Sequence, residues 1–287
     1  MKVRKAIIPA AGFGTRMLPA AKSVPKEMIC IAGKPAIHYI VKEAVDAGVE
    51  EILIITSRGK SAIEDYFDYS PELEARLEKS GKTELVRELR AIADMANITF
   101  VRQKELKGLG HAVLHARNFT GDEPFAVLLG DDIMRSDVPV TKQLIDNAEK
   151  YSCSCVGVKS VELSEISKYC TLGVERVEDK LFDVKQLIEK PTPDKVLSNY
   201  AILGRYVLTS GIYDFLENAK PGFGGEIQLT DALNLLCSRE RMLALDFEGE
   251  RFDSGNLCGY MEASIQLALA NPEISEWMKK YMKGLVL

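Results

Sequence analysis

Two glycines, an arginine and a lysine near the start of the chain supply the chemistry of an anion site. The run Ala6-Ile-Ile8 leads into Pro9-Ala-Ala-Gly-Phe-Gly-Thr-Arg16, and Lys26 follows within Val24-Pro-Lys-Glu-Met28. Glycines let a backbone come close to a ligand, and successive free N–H groups form a concavity that favours anions. Arg16 and Lys26 add two cations, so the expected anion is a polyphosphate and the expected ligand a nucleotide. Two commoner glycine loops fit poorly. A dinucleotide fingerprint needs a third glycine where Met17 stands, and Gly59-Lys-Ser61, which has the tail of a P-loop, has Ile54 in place of the leading glycine. What remains is a loop that wraps phosphates with its backbone, including Gly12, Gly14 and Thr15, and uses Arg16 as a planar, permanent cation. The alternative is a tight turn with an exposed arginine.

Further carboxylates and amides could complete such a site. Gly130-Asp131-Asp132 closes an apolar run, and carboxylates beside phosphates are what Mg²⁺ takes when phosphate oxygens and water fill its shell. Adjacent residues of an extended chain point to opposite sides, so one aspartate is expected on the metal and the other on the nucleotide's sugar. Asp253-Ser-Gly255 could add a second metal ligand. Gln103 and Gly108-Leu-Gly-His-Ala112 could admit a flat base, with Gln103 reading its polar edge. His111 and His115 are four apart but lack the intervening glutamate of a zinc protease, so one satisfied and one surface histidine is expected. Glu189-Lys190-Pro191 offers a carboxylate for sugar hydroxyls and an ammonium for a monophosphate, or else a surface ion pair. Gly224-Gly-Glu226 reads as a glycine turn opening a helix, with Glu226 available to a ligand. No nucleophile is paired with a base, so in-line transfer of a phosphoryl-type group fits better than a covalent intermediate.

The elements that must position these groups alternate from the start. Apolar runs at Ala6–Pro9, Glu51–Thr56, Ile98–Arg102 and Pro124–Leu129 predict strands, with helices over Ala36–Ala47 and Gly110–Asn118. Short apolar strands separated by helices imply an α/β fold with a mostly parallel sheet covered on both faces, and ligands beyond the strands' carboxyl ends. Ser61–Ala96 reads as a charged helical excursion on the surface. After Ser152 the segments Cys153–Lys159, Gly173–Val177, Phe182–Glu189 and Ala201–Leu208 predict an antiparallel extension for a second substrate, followed by strand-like Leu243–Phe252. Gly259–Ala270 and Ile274–Lys283 predict amphipathic helices packed back on the body. The expected organisation is one unit over 1–287, with a nucleotide half (1–150), a sugar-phosphate half (151–258) and C-terminal helices (259–287).

The chain has 287 residues, 46% hydrophobic and 28% charged, with net charge −5, which suits a globular protein with a sizeable core and argues against a nucleic-acid binder. No stretch reads as a signal peptide or membrane span. Six cysteines show neither C-x-x-C nor zinc spacing, as expected of reduced thiols in the cytoplasm.

Taken together, Ala10-Ala-Gly-Phe-Gly-Thr-Arg16, Pro25-Lys-Glu-Met28, Phe100-Val-Arg-Gln103, Lys107-Gly-Leu-Gly-His-Ala112, Leu129-Gly-Asp-Asp132, Glu189-Lys-Pro191, Gly204-Arg-Tyr206, Glu226-Ile-Gln-Leu-Thr-Asp231 and Asp253-Ser-Gly255 resemble the signature of the sugar-phosphate nucleotidylyltransferases. Within them the pattern is similar to the bacterial-type uridylyltransferases of glucose 1-phosphate. The resemblance implies a Rossmann-like mixed sheet of the nucleotide-diphospho-sugar transferase type, with UTP and glucose 1-phosphate as substrates, Mg²⁺ as cofactor and a homo-oligomer, dimer or tetramer. It implies that Ala10, Ala11, Gly12 and Gln103 hold the uracil, with Gly108 against the base or ribose and Asp131 beside the nucleotide. Asp132 and Asp253 would hold the metal, and Arg16 and Lys26 would neutralise the departing pyrophosphate. Glu189, Lys190, Gly204 and Glu226 would take the sugar phosphate, with Lys190 orienting the attacking oxygen. Where the family shows Tyr-Gly this chain has Tyr169-Cys170, and near Leu257 many relatives carry a lysine; both leave the choice of sugar open.

Overall fold

The computed structural model describes residues 1–285; residues 286–287, the end of the expected helical stretch 259–287, lie outside the described residues. The strands, in chain order, are β1 (Lys5–Pro9), β2 (Cys30–Ile31), β3 (Lys34–Pro35), β4 (Glu51–Thr56), β5 (Asn97–Arg102), β6 (Phe125–Leu128), β7 (Asp132–Arg135), β8 (Ser154–Ser160), β9 (Cys170–Glu178), β10 (Leu181–Glu189), β11 (Tyr200–Leu208), β12 (Met242–Asp246) and β13 (Glu250–Asp253). The helices are α1 (Ala36–Asp46), α2 (Ser61–Tyr66), α3 (Pro71–Lys79), α4 (Thr83–Ala93), α5 (Leu109–Leu114), α6 (Arg117–Thr120), α7 (Val140–Tyr151), α8 (Ile212–Leu216), α9 (Leu229–Arg239), α10 (Leu257–Ala270) and α11 (Ser275–Gly284).

Nine strands form one sheet in the order β5-β4-β1-β6-β11-β8-β12-β10-β9. In the first half β5, β4, β1 and β6 are all parallel. The expectation of a mostly parallel sheet holds there only: from β11 onward β6–β11, β11–β8, β12–β10 and β10–β9 are antiparallel, and β8–β12 alone is parallel. The antiparallel extension is thus the same sheet continued. Alternation along β1 sends Ile8 into an apolar cluster with Ile37, Ile40 and Leu144 on one face, and Ile7 into another with Val113, Tyr213 and Leu233 on the opposite face. Burial on both faces is why these strands read as unbroken apolar runs.

The chain leaves β1 outward to β4 and β5, then returns to β6 on the other side of β1. A crevice opens where the winding reverses, beyond the carboxyl ends of β1 and β6. Two readings of the sequence are corrected nearby. The helix expected over Gly110–Asn118 is two short helices, α5 and α6. The strand-like Leu243–Phe252 breaks into β12, inside the main sheet, and β13, which pairs with β7 in a separate ribbon that sets Asp253 opposite Asp132. Helices α3 and α4 form the expected surface excursion, burying only Glu74 and Val86. Helix α10 packs on β13 and β2, whereas α11 buries none of its residues. No helix among the described residues is long and apolar enough to cross a membrane.

A buried ion pair ties the halves together. Arg205 on β11 is wholly buried and bonds Glu43 of α1 at 2.6 Å, while Glu43 accepts from the N–H and hydroxyl of Thr141 at 3.0 and 2.7 Å. Arg205 also donates to the carbonyl of Asp132 at 2.6 Å, so this scaffold reaches the edge of the crevice. Removing one partner of a buried pair leaves an uncompensated charge. Glu43→Leu is therefore expected to cost about 3–5 kcal/mol in urea unfolding, and the double variant Glu43→Leu/Arg205→Met much less. A single variant within about 0.5 kcal/mol of wild type, the range of ordinary surface changes, would contradict this role.

Candidate active site

The loop after β1 is held from behind. Ala10 donates to Ile55 O at 2.8 Å, Lys60 Nζ donates to Ala10 O at 2.5 Å, and Ser57 Oγ donates to Ala11 O at 2.7 Å. Both carbonyls are thereby drawn back into the protein. Lys60 is the lysine of the P-loop-like Gly59-Lys-Ser61; it binds no phosphate loop of its own but anchors the loop that follows β1. Its ammonium also pairs at 2.8 Å with Glu27, which is buried and whose Oε1 has no hydrogen-bond partner among the described residues. Burial pushes the Glu27 carboxyl up against the pull of Lys60 and Lys26, and pushes the Lys60 ammonium down against the pull of Glu27.

In front of the loop, four charges converge. Lys26 Nζ lies 2.5 Å from Asp131 Oδ2, and Arg16 reaches the same oxygen at 3.5 Å and Asp253 Oδ2 at 3.1 Å. The Asp131 carbonyl accepts from the N–H and hydroxyl of Ser254 at 2.9 and 2.8 Å, which fixes the two acidic segments against each other. Burial alone would raise the Asp131 carboxyl, but Lys26 and Arg16 hold it below the ordinary range. Burial likewise pulls on the Lys26 ammonium, yet Asp131 and Glu27 keep it above its ordinary value.

Asp132, expected on a metal, faces elsewhere. Its Oδ1 takes Arg251 Nε at 2.7 Å and Nη2 at 2.6 Å, and it is 3% exposed. The pleat does send the two aspartates apart, but Asp131 is the one at the cleft. Gly204, expected at the sugar, is packed against Asp132 instead: with φ +68°, a Cβ there would stand 2.1 Å from Asp132 Oδ2.

The cleft beyond β1 and β6 encloses about 500 Å³ and is lined by Ala11, Gly12, Gly14, Thr15, Lys26, Gln103, Gly108, Asp131 and Glu226 among others. Ala10 is buried behind it, 1% exposed. Gly108 has φ +100°, and a Cβ there would meet Glu226 Cβ at 2.7 Å. That contact is sealed by backbone bonds from Ile227 N to Lys107 O at 2.7 Å and from Gly110 N to Ile227 O at 2.9 Å. The Gly108 loop and the Glu226 loop are therefore bonded to each other.

Glu189 and Lys190 stand at the end of β10, outside the lining of this cleft but joined to its Glu226 side. Thr230 donates to Glu189 Oε2 at 2.6 Å, and Lys190 Nζ lies 4.9 Å from the centre of the Phe223 ring. Cys170 is opposite Glu189 in register and buried, which pushes its thiol up. Leu257 starts α10 and is 65% exposed. Nothing in the sequence marks Lys60, Arg251 or Arg205 as supports of the site: Lys60 stands in a P-loop-like motif that lacks its leading glycine, Arg205 in Gly204-Arg-Tyr206, and Arg251 in no motif.

A nucleotidyl transferase family model matches residues 5–269. A UTP–glucose-1-phosphate uridylyltransferase of Bacillus subtilis (strain 168) is 50% identical over 285 residues, covering 99% of this chain and 98% of the relative. A solved UDP-glucose pyrophosphorylase complexed with UDP-glucose is 42% identical with TM-score 0.85, covering 94% of this chain and 100% of that one. A UTP-bound structure of the enzyme from Acinetobacter baumannii is 36% identical with TM-score 0.92, covering 99% of both chains.

Lys60→Met is expected to destabilise the fold by about 3 kcal/mol, because Glu27 is left buried without its cation. Adding Glu27→Gln is expected to restore most of that stability while nucleotide affinity, read by titration calorimetry, stays weakened, because Ala10 O has lost its anchor. Full recovery of affinity in the double variant would show that Lys60 serves only Glu27.

Proposed function

The chain belongs to the nucleotidyl transferase family, and from that premise we propose that it transfers a uridylyl group from UTP to glucose 1-phosphate, releasing pyrophosphate and giving UDP-glucose. One observation carries the reading: the Gly12–Thr15 loop, Lys26 and Asp131 line a single cleft together with Gln103 and Glu226, with Arg16 beside Asp131. The names of the B. subtilis relative and of the UDP-glucose and UTP complexes support the choice of nucleotide and sugar.

In this reading the uracil lies against Ala11 and Gly12, with Gln103 at its polar edge and Gly108 beside base or ribose. The triphosphate follows the loop past Gly14 and Thr15 toward Lys26 and Arg16, which neutralise charge on the departing pyrophosphate. Glu189 and Glu226 bind glucose hydroxyls, and Lys190 holds the sugar phosphate so that its oxygen attacks the α-phosphorus in line. Placement and charge neutralisation dominate such transfers. No covalent enzyme intermediate is needed.

The site fits a divalent cation. Asp131 and Asp253 flank the one Arg16 guanidinium, which supports a cation between them, and Mg²⁺ uses one or two protein carboxylates with phosphate oxygens and water. Among the described residues no cluster of three or more His, Cys, Asp or Glu is found. Asp131 thus replaces Asp132 in the proposed pair. Bound there, Mg²⁺ supplies charge neutralisation at the phosphates.

The sheet that runs through both halves supports one unit over 1–287. Free cysteines support a reducing, cytoplasmic setting, and the exposed stacked pair Trp277–Tyr281 on α11 supports a homo-oligomer.

Purified protein with Mg²⁺, UTP and glucose 1-phosphate is expected to release pyrophosphate, and a chelator to abolish it. No release with UTP alongside release with dTTP or another triphosphate would overturn the uridylyl assignment. Arg16→Ala is expected to lower kcat by roughly two to three orders of magnitude, a loss of transition-state charge stabilisation. A change confined to KM would reduce Arg16 to a binding residue.

A further inference from the structure

Gln103 is 4% exposed and its amide orientation is settled by its neighbours. Nε2 lies 3.2 Å from the carbonyl oxygen of Gly108 and 2.9 Å from Nδ1 of His111. A carbonyl oxygen only accepts, so the atom facing it must be the NH₂ group. That group's second hydrogen then points at His111 Nδ1, which must carry a lone pair. The imidazole is therefore neutral with its proton on Nε2. Its surroundings favour that state: burial, His115 and Lys107 lower its affinity for a proton against the weaker pull of Glu105. His115 donates from Nδ1 to the His111 carbonyl at 2.8 Å, and its ring stands edge-on at 4.6 Å, which fixes the His111 ring from its own helix.

With both hydrogens of Nε2 engaged, Oε1 takes no hydrogen bond among the described residues, and Gln103 lines the cleft. We propose that His111 is a positioning residue for base selection: by holding the Gln103 amide with its carbonyl toward the cleft, it makes the site accept a pyrimidine that donates from N3 and reject one that does not. Uracil carries N3–H and meets an acceptor. Cytosine presents a lone pair at N3, so lone pair faces lone pair and neither group is satisfied. A site built around such a bond discriminates strongly because the mismatch leaves buried polar groups unpaired. His111 touches no substrate; it works through Gln103. The Gly108 carbonyl alone restrains the amide by one bond, and the histidine supplies the second restraint that prevents a flip. The inference rests on the uridylyl reading of the cleft.

The test compares kcat/KM for UTP and CTP, both with glucose 1-phosphate and Mg²⁺, in wild type, His111→Leu and His111→Asn. Leu keeps bulk and removes the acceptor; Asn places Oδ1 near the position of Nδ1. In His111→Leu the UTP-over-CTP preference is expected to shrink by about tenfold or more, the scale of one lost neutral hydrogen bond with its unpaired partner, chiefly through KM for UTP. In His111→Asn the preference is expected to return toward wild type. A purely structural role would lower both nucleotides together and leave their ratio unchanged. An unchanged ratio in His111→Leu, or a loss in His111→Asn as large as in His111→Leu, overturns the proposal. Should His111→Leu not fold, His111→Ala, a better helix former, makes the same comparison. Wild-type protein that does not prefer UTP overturns the uridylyl reading itself, so the two failures are distinguishable.

Discussion

A carboxylate removed from water needs cations, and the rest of this molecule is arranged around how Asp131 finds them. Its side chain is 16% exposed and lies between Lys26 and Arg16, with Asp253 sharing the second. Uncompensated, such a charge would cost several kcal/mol. Compensated, it holds two cations in place at the mouth of the cleft. Lys26 comes from the segment after the glycine loop, Asp131 from the end of β6, and Asp253 from the end of β13. Three distant pieces of sequence are thus fixed at one point by charge.

Two further ion pairs sit beneath that point as struts. Lys60–Glu27 holds the glycine loop against the segment that follows β4, and Arg205–Glu43 ties α1 to β11 and to the Asp132 carbonyl. Asp132 itself is locked by Arg251 across the β7–β13 ribbon. The aspartate pair therefore divides its labour: one faces the cleft, and its neighbour is bonded across the β7–β13 ribbon beside it. Gly204 belongs to the same arrangement, because only a residue without a Cβ leaves room for the Asp132 carboxylate.

Much of this was legible in the sequence, for a physical reason. Strands buried on both faces must be apolar throughout, so β1, β4 and β6 stand out, and ligands in such sheets gather where strands end. The glycine loop and Gly130-Asp131-Asp132 lie just past those ends and are legible for that reason. Period 2 showed that Asp131 and Asp132 diverge, but not which one faces the cleft, since that depends on Arg251 across a ribbon. That ribbon was hidden inside an apparently single run, Leu243–Phe252. The motif around Lys60 lacks a P-loop's leading glycine, and its structural role needs only a charge of the right reach. Arg205 and Glu43 are 162 residues apart, and charged residues of that kind read as surface until a fold brings them together.

The central claim is that one cleft takes the nucleotide with Asp131 and Asp253, and not Asp132, holding its cation. A crystal structure of the protein with UTP and Mn²⁺, read by anomalous scattering, tests it most directly. The expected result is a metal peak bounded by Asp131, Asp253 and phosphate oxygens, with the uracil at Gln103 and Asp132 still on Arg251. A peak on Asp132 with Arg251 displaced, or a nucleotide bound away from Gly12 and Gln103, would contradict the account.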